Sequence, residues 1–188
     1  KPVWTGLDRD QWGLDHGTWS VLAHLYPKAD IPVVQLSINA LKPLDYHVDL
    51  GARLAPLRDQ EVMILASGNV VHNLGLIDWQ RPNEGFDWAH RFDEAVARQM
   101  TTAPADILNV TGHPDYARAV PSPDHFIPLL YIAGLAAADG GATAMLRGYS
   151  MGSLSMTSYG VGVDPALCRE GEGAAALPAD VPADQTNT

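Results

Sequence analysis

Seven histidines supply most of this chain's candidate groups for proton transfer or metal binding. An imidazole titrates at a pH of about 6.5 and is a common metal ligand. Three of them lie inside predicted helices, where a surface or half-buried histidine is the ordinary outcome: His24, His47 and His90. The other four lie on predicted turns or at the ends of predicted elements: His16, His72, His113 and His125. The candidate chemistry therefore falls on these four histidines.

His72 belongs to the stretch SGNVVHN, residues 67–73, which directly follows an apolar run over residues 61–66. That run is typical of a strand buried on both faces. Ligands in α/β sheets collect beyond the carboxyl ends of the strands, and Gly68 permits a tight turn there. Two interpretations stay open: a functional imidazole, or a core histidine whose ring is satisfied by a backbone carbonyl.

The other three histidines each lie at or just before the start of a predicted helix. His125 in PDHF is placed where a neutral imidazole can point toward a pocket with its ring held by neighbouring hydrogen bonds. His16 in DHG and His113 in GHP lie on turns where polar side chains also serve as helix caps. A structural role and a functional role are both consistent with these positions.

Several common catalytic patterns are absent from the sequence. No two histidines have the spacing of a helical zinc-protease motif, and there is no Gly-x-Ser-x-Gly elbow or phosphate-binding glycine loop. The lone cysteine, Cys168, excludes an internal disulfide framework and a cysteine-based zinc cage. What remains is metal-assisted or acid–base chemistry at the histidines.

Apolar periodicity predicts the elements that position these residues. Helices are expected over residues 17–26, 44–57, 85–100, 103–109 and 121–138, the last with Asp124 as its N-cap. Buried strands are expected over 31–38 and 61–67, and one or two closing strands over 141–162. A strand, a helix and a strand in succession form a right-handed crossover unit. The sequence thus predicts a three-layer α/β/α fold with a mostly parallel central sheet that lacks its N-terminal portion.

The bulk properties limit the domain count and the partners. A chain of 188 residues with 46% apolar content is long enough for one core, so we expect one domain over residues 1–163 and a flexible tail over 164–188. The formal net charge of −10 argues against nucleic acid or an anionic membrane as a partner. Without a long apolar run or a signal-peptide pattern, a cytoplasmic location is the expectation.

Five separated stretches together resemble the class III extradiol ring-cleavage dioxygenases, and among these the DOPA 4,5-dioxygenase type. They occur in family order and cover most of residues 10–162. The stretches are WGLDHGTWSVL (12–22), ADIPVVQLSI (29–38), ASGNVVHNL (66–74), PSPDHFIPLLYIAG (121–134) and MGSLSMTSYG (151–160).

The resemblance implies a non-haem metal site that uses these histidines. His125 would be a metal ligand, and His72 would be the acid–base catalyst and a further ligand. His16 would be a catalytic or substrate-contacting histidine oriented by Asp15, with His113 as a weaker candidate for the substrate pocket. Fe(II) is the ion expected for activity, and Zn(II) is a second ion that such a site accepts. The implied reaction cleaves a catechol with O2 to a ring-opened semialdehyde.

The family's N-terminal ligand motifs, of the types His-Gly-Ser-Pro and Ser-Ala-His-Trp, do not occur in this sequence. Three explanations stay open: an incomplete chain, a complementing N-terminal segment or second copy that supplies the ligands, and a lineage without the metal. The alternative functions are a metal-free binding or regulatory relative and a zinc-dependent hydrolase. A purely structural role of the histidines is the remaining interpretation.

Overall fold

The computed structural model describes residues 13–164, which fall into two compact units, residues 13–37 and 38–164. In the first unit, helix α1 (His16–Leu25) begins at Asp15, whose carboxylate Oδ1 accepts a hydrogen bond from the Thr18 amide at 2.9 Å. The side-chain oxygen of Gln35 accepts hydrogen bonds from Asp15 N and Thr18 Oγ1. The helix predicted over 17–26 is therefore confirmed, together with its N-cap.

The second unit begins with helix α2 (Leu44–Leu54), which continues into a 3₁₀ helix, Ala55–Gln60. Helix α2 packs against the last helix of the unit, α5 (Ile127–Asp139). Two glycines permit this close crossing. A Cβ at Gly51 would lie 2.2 Å from Tyr131 O, and one at Gly134 would lie 2.2 Å from Val48 O. The helix predicted over 44–57 is confirmed as an α-helix over residues 44–54, and its last residues belong to the 3₁₀ helix.

His47 on α2 is fully buried, and its Nδ1 lies 3.1 Å from the Tyr131 hydroxyl. Burial lowers the pKa of His47 below its ordinary value, and a backbone hydrogen bond at Lys42 and the charge of Asp45 oppose that shift. As the pH falls, His47 therefore takes up a proton in the unfolded chain before it does so in the folded chain. The contribution of neutral His47 to the free energy of unfolding is fully present above pH about 6.5, and it is lost as the pH falls toward the folded-state pKa.

We therefore expect the free energy of unfolding to fall with decreasing pH below about 6.5, by up to about 1.4 kcal/mol per pH unit from His47. Urea titrations between about pH 5.5 and 7.5 measure this slope. The variant His47→Gln should show a shallower slope than the wild type, while His24→Gln, at an exposed position on α1, should keep the wild-type slope. Equal slopes in all three proteins would contradict this assignment.

Helix α3 (Asp87–Thr102) has one buried face. Its buried positions recur at helical spacing: Trp88, Ala89, Phe92, Asp93, Val96, Ala97 and Met100. The prediction over 85–100 is confirmed. The next predicted helix, over 103–109, is instead a 3₁₀ helix, Pro104–Gly112, with a kink at Asp106. A short helix, α4 (Tyr116–Ala119), follows.

Helix α5 starts later than the sequence indicates. It begins at Ile127, and the cap position is held by Phe126, so the prediction of Asp124 as N-cap is wrong. The reason is a preceding turn, in which the amides of Phe126 and Ile127 both donate to Pro123 O, at 2.9 and 2.8 Å. The helix is buried along most of its length and ends at Gly140, whose φ of 79° suits glycine.

Four short strands close the unit. Strand β1 (Thr143–Leu146) pairs antiparallel with β4 (Ser158–Gly160), and β2 (Tyr149–Ser150) pairs antiparallel with β3 (Leu154–Ser155). The presence of strands over 141–162 is therefore confirmed, but they are four short strands where one or two were predicted. Between β2 and β3, Gly152 has a φ of 77°, and a Cβ there would lie 2.5 Å from the Phe86 ring. This turn therefore requires glycine.

A mostly parallel central sheet is not shown in the described part of the chain. The strands of residues 13–164 pair antiparallel, and parallel pairing occurs only as one isolated bridge, Gly85 with Gly152. Helices and strands nevertheless occur together in order along the chain, which is consistent with the α/β class.

The prediction of two buried strands over 31–38 and 61–67 is wrong. Neither segment forms a regular strand, and the apolar side chains of both are largely exposed: Val34 is 86% accessible and Met63 is 68% accessible. A strand is buried on both faces only when neighbouring strands and helices cover it. Residues 13–164 supply no paired strand for either segment. The apolar composition of these segments therefore indicates correctly that their surface is better buried, but it does not indicate that they pair with neighbouring strands.

The core of the second unit lies between α3, α5 and the segment that precedes His72. Phe92, Met100, Ile107 and Leu130 are fully buried members of it. No helix within residues 13–164 is long and apolar enough to cross a membrane. The predicted tail over 164–188 lies, apart from Asp164, outside the described residues, as does Cys168. The single domain over 1–163 stays a prediction.

Candidate functional site

The structure brings His72 and His125 together, although they are far apart in sequence. Their rings stack face to face, with centroids 3.5 Å apart and planes inclined by 9°. His72 follows the extended segment 61–67, and His125 lies in the turn before α5. Both side chains are half-buried, and that of His125 is 35% accessible. Two imidazoles that share a partly accessible position form the most concentrated group of candidate catalytic side chains in the second unit.

The backbone around His72 is held from two directions. The His72 amide donates at 2.9 Å to the carbonyl of Ala119, the last residue of α4, and the next amide, of Asn73, donates to Ser153 O at 3.2 Å. His72 also forms an isolated antiparallel bridge with Leu154 of β3. Because the preceding Val71 is fully buried, the segment is anchored in the core up to the point where the imidazole emerges.

His125 is positioned by the turn that delays the start of α5. This turn passes so close to Gly68 that a Cβ there would lie 2.4 Å from His125 O. The next residue, Phe126, is 1% exposed and anchors the turn in the core. Glycine at position 68 therefore allows the two histidine-bearing segments to touch. Any larger residue there would separate them.

Electrostatics favour a neutral His72. Burial lowers its pKa, the charge of His125 lowers it further, and Asp124 opposes the shift. Asp124 Oδ2 lies 3.7 Å from His125 Nε2. A hydrogen bond from Ser122 holds the pKa of the Asp124 carboxyl below its usual range, which keeps that carboxyl ionised. At neutral pH His72 is thus able to accept a proton or to donate a lone pair to a metal.

The donor chemistry fits a divalent metal in kind but not in number. Neutral imidazole nitrogens suit zinc and iron. Within residues 13–164, however, no group of three or more His, Cys, Asp or Glu side chains is arranged to hold a metal ion. The His72 and His125 pair therefore amounts to part of a metal site, and a complete site would need donors from outside the described residues.

His113, predicted as a pocket residue, lies at the end of the 3₁₀ helix Pro104–Gly112. Its Nδ1 accepts a hydrogen bond from the Asp115 amide at 3.1 Å, and its ring packs edge-on against Phe92 at 5.7 Å. Asp115 in turn forms a bidentate pair with Arg91 at 2.9 and 3.1 Å. These contacts fix the His113 ring, and its role toward a substrate stays a prediction.

His16 and Asp15 belong to the first unit. His16 is the exposed first residue of α1, and the Asp15 carboxylate caps that helix. The capping bond accounts for the presence of an aspartate at position 15. The catalytic or substrate-contacting role of His16 and the substrate-binding role of Asp15 stay predictions.

Sequence reasoning missed the polar residues that hold His72. Ser153 and Ser155 are at most 1% exposed, and their side chains form hydrogen bonds with the backbone of Asn73 and Val71, respectively. Asp93, fully buried on α3, accepts hydrogen bonds from Tyr149 and Thr157. A signal for Asp93 was present, because it stands at a position of α3 that the helical spacing assigns to the buried face.

Comparison with known proteins gives one family and several relatives. The family model described as the catalytic LigB subunit of aromatic ring-opening dioxygenase matches residues 3–162. The 4,5-DOPA dioxygenase extradiol of Escherichia coli (strain K12) is 42% identical over 165 residues, which are 86% of this chain and 61% of that protein. The 4,5-DOPA dioxygenase extradiol of Beta vulgaris is 34% identical over 157 residues, which are 78% of this chain and 55% of that protein.

This chain is also similar to a solved structure. The crystal structure of an uncharacterized protein from Escherichia coli K12 superposes with a TM-score of 0.77 at 42% identity, over 84% of this chain and 66% of that chain. The chain spans less than two thirds of the length of the two curated relatives, 61% and 55%.

Proposed function

The chain belongs to the family of the catalytic LigB subunit of aromatic ring-opening dioxygenases, and we propose on that premise that it acts in extradiol cleavage of a DOPA-like catechol by O2. The product is a ring-opened semialdehyde. The observation that carries this proposal is the stacked pair of His72 and His125, two half-buried imidazoles at 3.5 Å. The names of the two curated relatives support the substrate class.

His72 is the acid–base group of the proposed reaction. Because burial lowers its pKa, the ring is neutral near pH 7 and can take a proton from a catechol hydroxyl and later return it. Its backbone bonds to Ala119 and Ser153 hold the ring in one place while the proton moves. His16 and His113 are proposed to contact the substrate, with Asp15 orienting His16.

His125 is proposed as a ligand of a divalent metal, Fe(II) for activity, with Zn(II) able to occupy the same site. His72 is proposed as a further ligand only while it is not acting as the base, because the one lone pair of a neutral imidazole cannot bind a metal and accept a proton together. When bound, such an ion lowers the pKa of the catechol hydroxyls and passes electron density to O2. Since residues 13–164 offer no group of three donors, the remaining ligands are assigned to a complementing segment or a second copy of the chain. His125 is accessible to such an assembly, because its side chain is 35% exposed.

The proposal is tested by anaerobic loading with Fe(II), followed by DOPA and air-saturated buffer. We expect oxygen uptake that depends on DOPA and a product heavier than DOPA by both atoms of one O2, as read by mass spectrometry with labelled oxygen. The same protein without metal is the control. Stoichiometric iron with bound DOPA but no oxygen uptake would contradict the proposal.

A second candidate function is binding of a catechol without turnover. The lack of a three-donor metal group among residues 13–164 favours it. Calorimetry distinguishes the two, since this candidate predicts metal-independent DOPA binding and no oxygen uptake. Product formed equally well without O2 would instead indicate a hydrolase.

A further inference from the structure

Buried hydrogen bonds connect helix α3 to the closing strands, and one of these strands, β3, holds the segment that carries His72. At their centre is Asp93, a fully buried carboxylate. Its Oδ2 accepts hydrogen bonds from Thr157 Oγ1 at 2.8 Å and from the Tyr149 hydroxyl at 3.1 Å. Burial raises the pKa of Asp93, while hydrogen bonds from Thr157 and Tyr149 oppose that shift. Two hydroxyl donors orient Oδ2, whereas the buried Oδ1 has no hydrogen-bond partner within the described residues.

Ser155 holds the residue that precedes His72. Its Oγ accepts a hydrogen bond from the Val71 amide at 3.0 Å, while its own amide donates to Val71 O, also at 3.0 Å. The residue immediately before His72 is thus fixed by both the backbone and the side chain of one serine.

Ser153 does the same on the other side of His72. Its Oγ donates to Asn73 O at 2.7 Å, and its carbonyl accepts from the Asn73 amide at 3.2 Å. We call Ser153 and Ser155 the serine clamp. Because the clamp holds the residues on both sides of His72, it fixes the position of the His72 imidazole relative to the His125 ring.

We propose that Ser155 and Ser153 are positioning residues for His72: their hydrogen bonds to Val71 and Asn73 hold the backbone on both sides of His72 and so keep the two imidazoles in register. This inference rests on the proposed function. It matters for chemistry because a displacement of about 1 Å in a reacting group can cost about 100-fold in rate. Rings stacked at 3.5 Å leave little tolerance for movement of the segment.

The test variant is Ser155→Ala, which leaves the Val71 amide without its side-chain acceptor. We expect kcat for DOPA-dependent oxygen uptake to fall about 10- to 100-fold, with KM changed by less than about threefold. Independently of activity, we expect the nuclear Overhauser effects between the His72 and His125 ring protons to weaken. Those effects report the stacked geometry in the protein with no metal added.

The matched control is Thr157→Val, which is nearly isosteric and removes a hydrogen bond to Asp93 without touching residues 71–73. It should lower the thermal midpoint while leaving kcat within about twofold and the ring–ring effects unchanged.

The outcomes separate this inference from the proposed function. Weakened ring–ring effects in Ser155→Ala and intact ones in Thr157→Val support the clamp even if the wild type consumes no oxygen. Unchanged ring–ring effects in folded Ser155→Ala overturn it. If Ser155→Ala does not fold, Ser155→Cys, which keeps the volume but has a weak acceptor, takes its place. Wild-type effects in that variant would likewise overturn the inference.

Discussion

Replacement of His72 by alanine is expected to lower kcat for catechol-dependent oxygen uptake by about 100- to 10,000-fold, the usual contribution of a positioned acid–base group. His72 is neutral near pH 7 because burial lowers its pKa, so the lost ring is the one prepared to accept a proton. The variant should keep part of its bound metal. His125→Ala should lose rate and metal together, since His125 is assigned as a ligand. Oxygen-electrode rates and metal analysis of both variants measure the difference.

The matched control is His24→Ala, which removes an exposed imidazole from α1 whose Nδ1 lies 2.8 Å from Ser20 O. Its rate should equal that of the wild type. Circular dichroism shows whether each variant keeps its helices. If the His72 and His125 variants both kept full activity, the stacked pair would have no role in turnover.

A large stability effect is expected at Gly134, where α5 crosses α2. A Cβ there would lie 2.2 Å from Val48 O and 2.6 Å from Ala52 N, and backbone atoms cannot turn aside as a side chain can. Gly134→Ala should therefore lower the free energy of unfolding by about 3 kcal/mol. This is a net figure, because alanine itself is the better helix former by about 1 kcal/mol. Urea unfolding measures it.

The same chemical change at Gly112 is the control, because nothing lies within 4 Å of a Cβ built there. Gly112→Ala should shift the free energy of unfolding by less than about 1 kcal/mol. Similar losses at positions 112 and 134 would mean that the cost comes from the loss of glycine's flexibility and not from the helix crossing.

The helices were the most predictable part of the fold, because their signals are local. The Asp15 cap and the apolar spacing of α3 are readable from a few adjacent residues. The start of α5 was misplaced because Asp124 looks like a cap in sequence. The chain instead makes a turn on Pro123 O, which depends on packing against Gly68.

The sheet was the least predictable part, because pairing depends on distant neighbours. The segments 31–38 and 61–67 have the composition of buried strands and remain unpaired within residues 13–164. An apolar composition indicates that the surface of a segment is better buried, but it does not indicate which strand or helix buries it.

The candidate site divides in the same way. Resemblance to the family assigned His72 and His125 to one metal site, and the structure brings their rings together, while their roles as ligand and acid–base group remain predictions. The serine clamp was not predicted, because a buried serine has no distinctive sequence signal. The roles assigned to His16, Asp15 and His113 remain predictions.

The hydrogen bonds that hold His72 have a consequence for the order of folding. The bonds from Val71 N to Ser155 and from Ser153 to Asn73 join positions 84 and 80 residues apart. Contacts of such high separation form late, after local helices, because a long loop must close first. During synthesis on the ribosome they must wait until residue 155 has emerged. The chain therefore acquires its helices early and its paired imidazoles last, so a partly made chain does not yet hold the stacked pair.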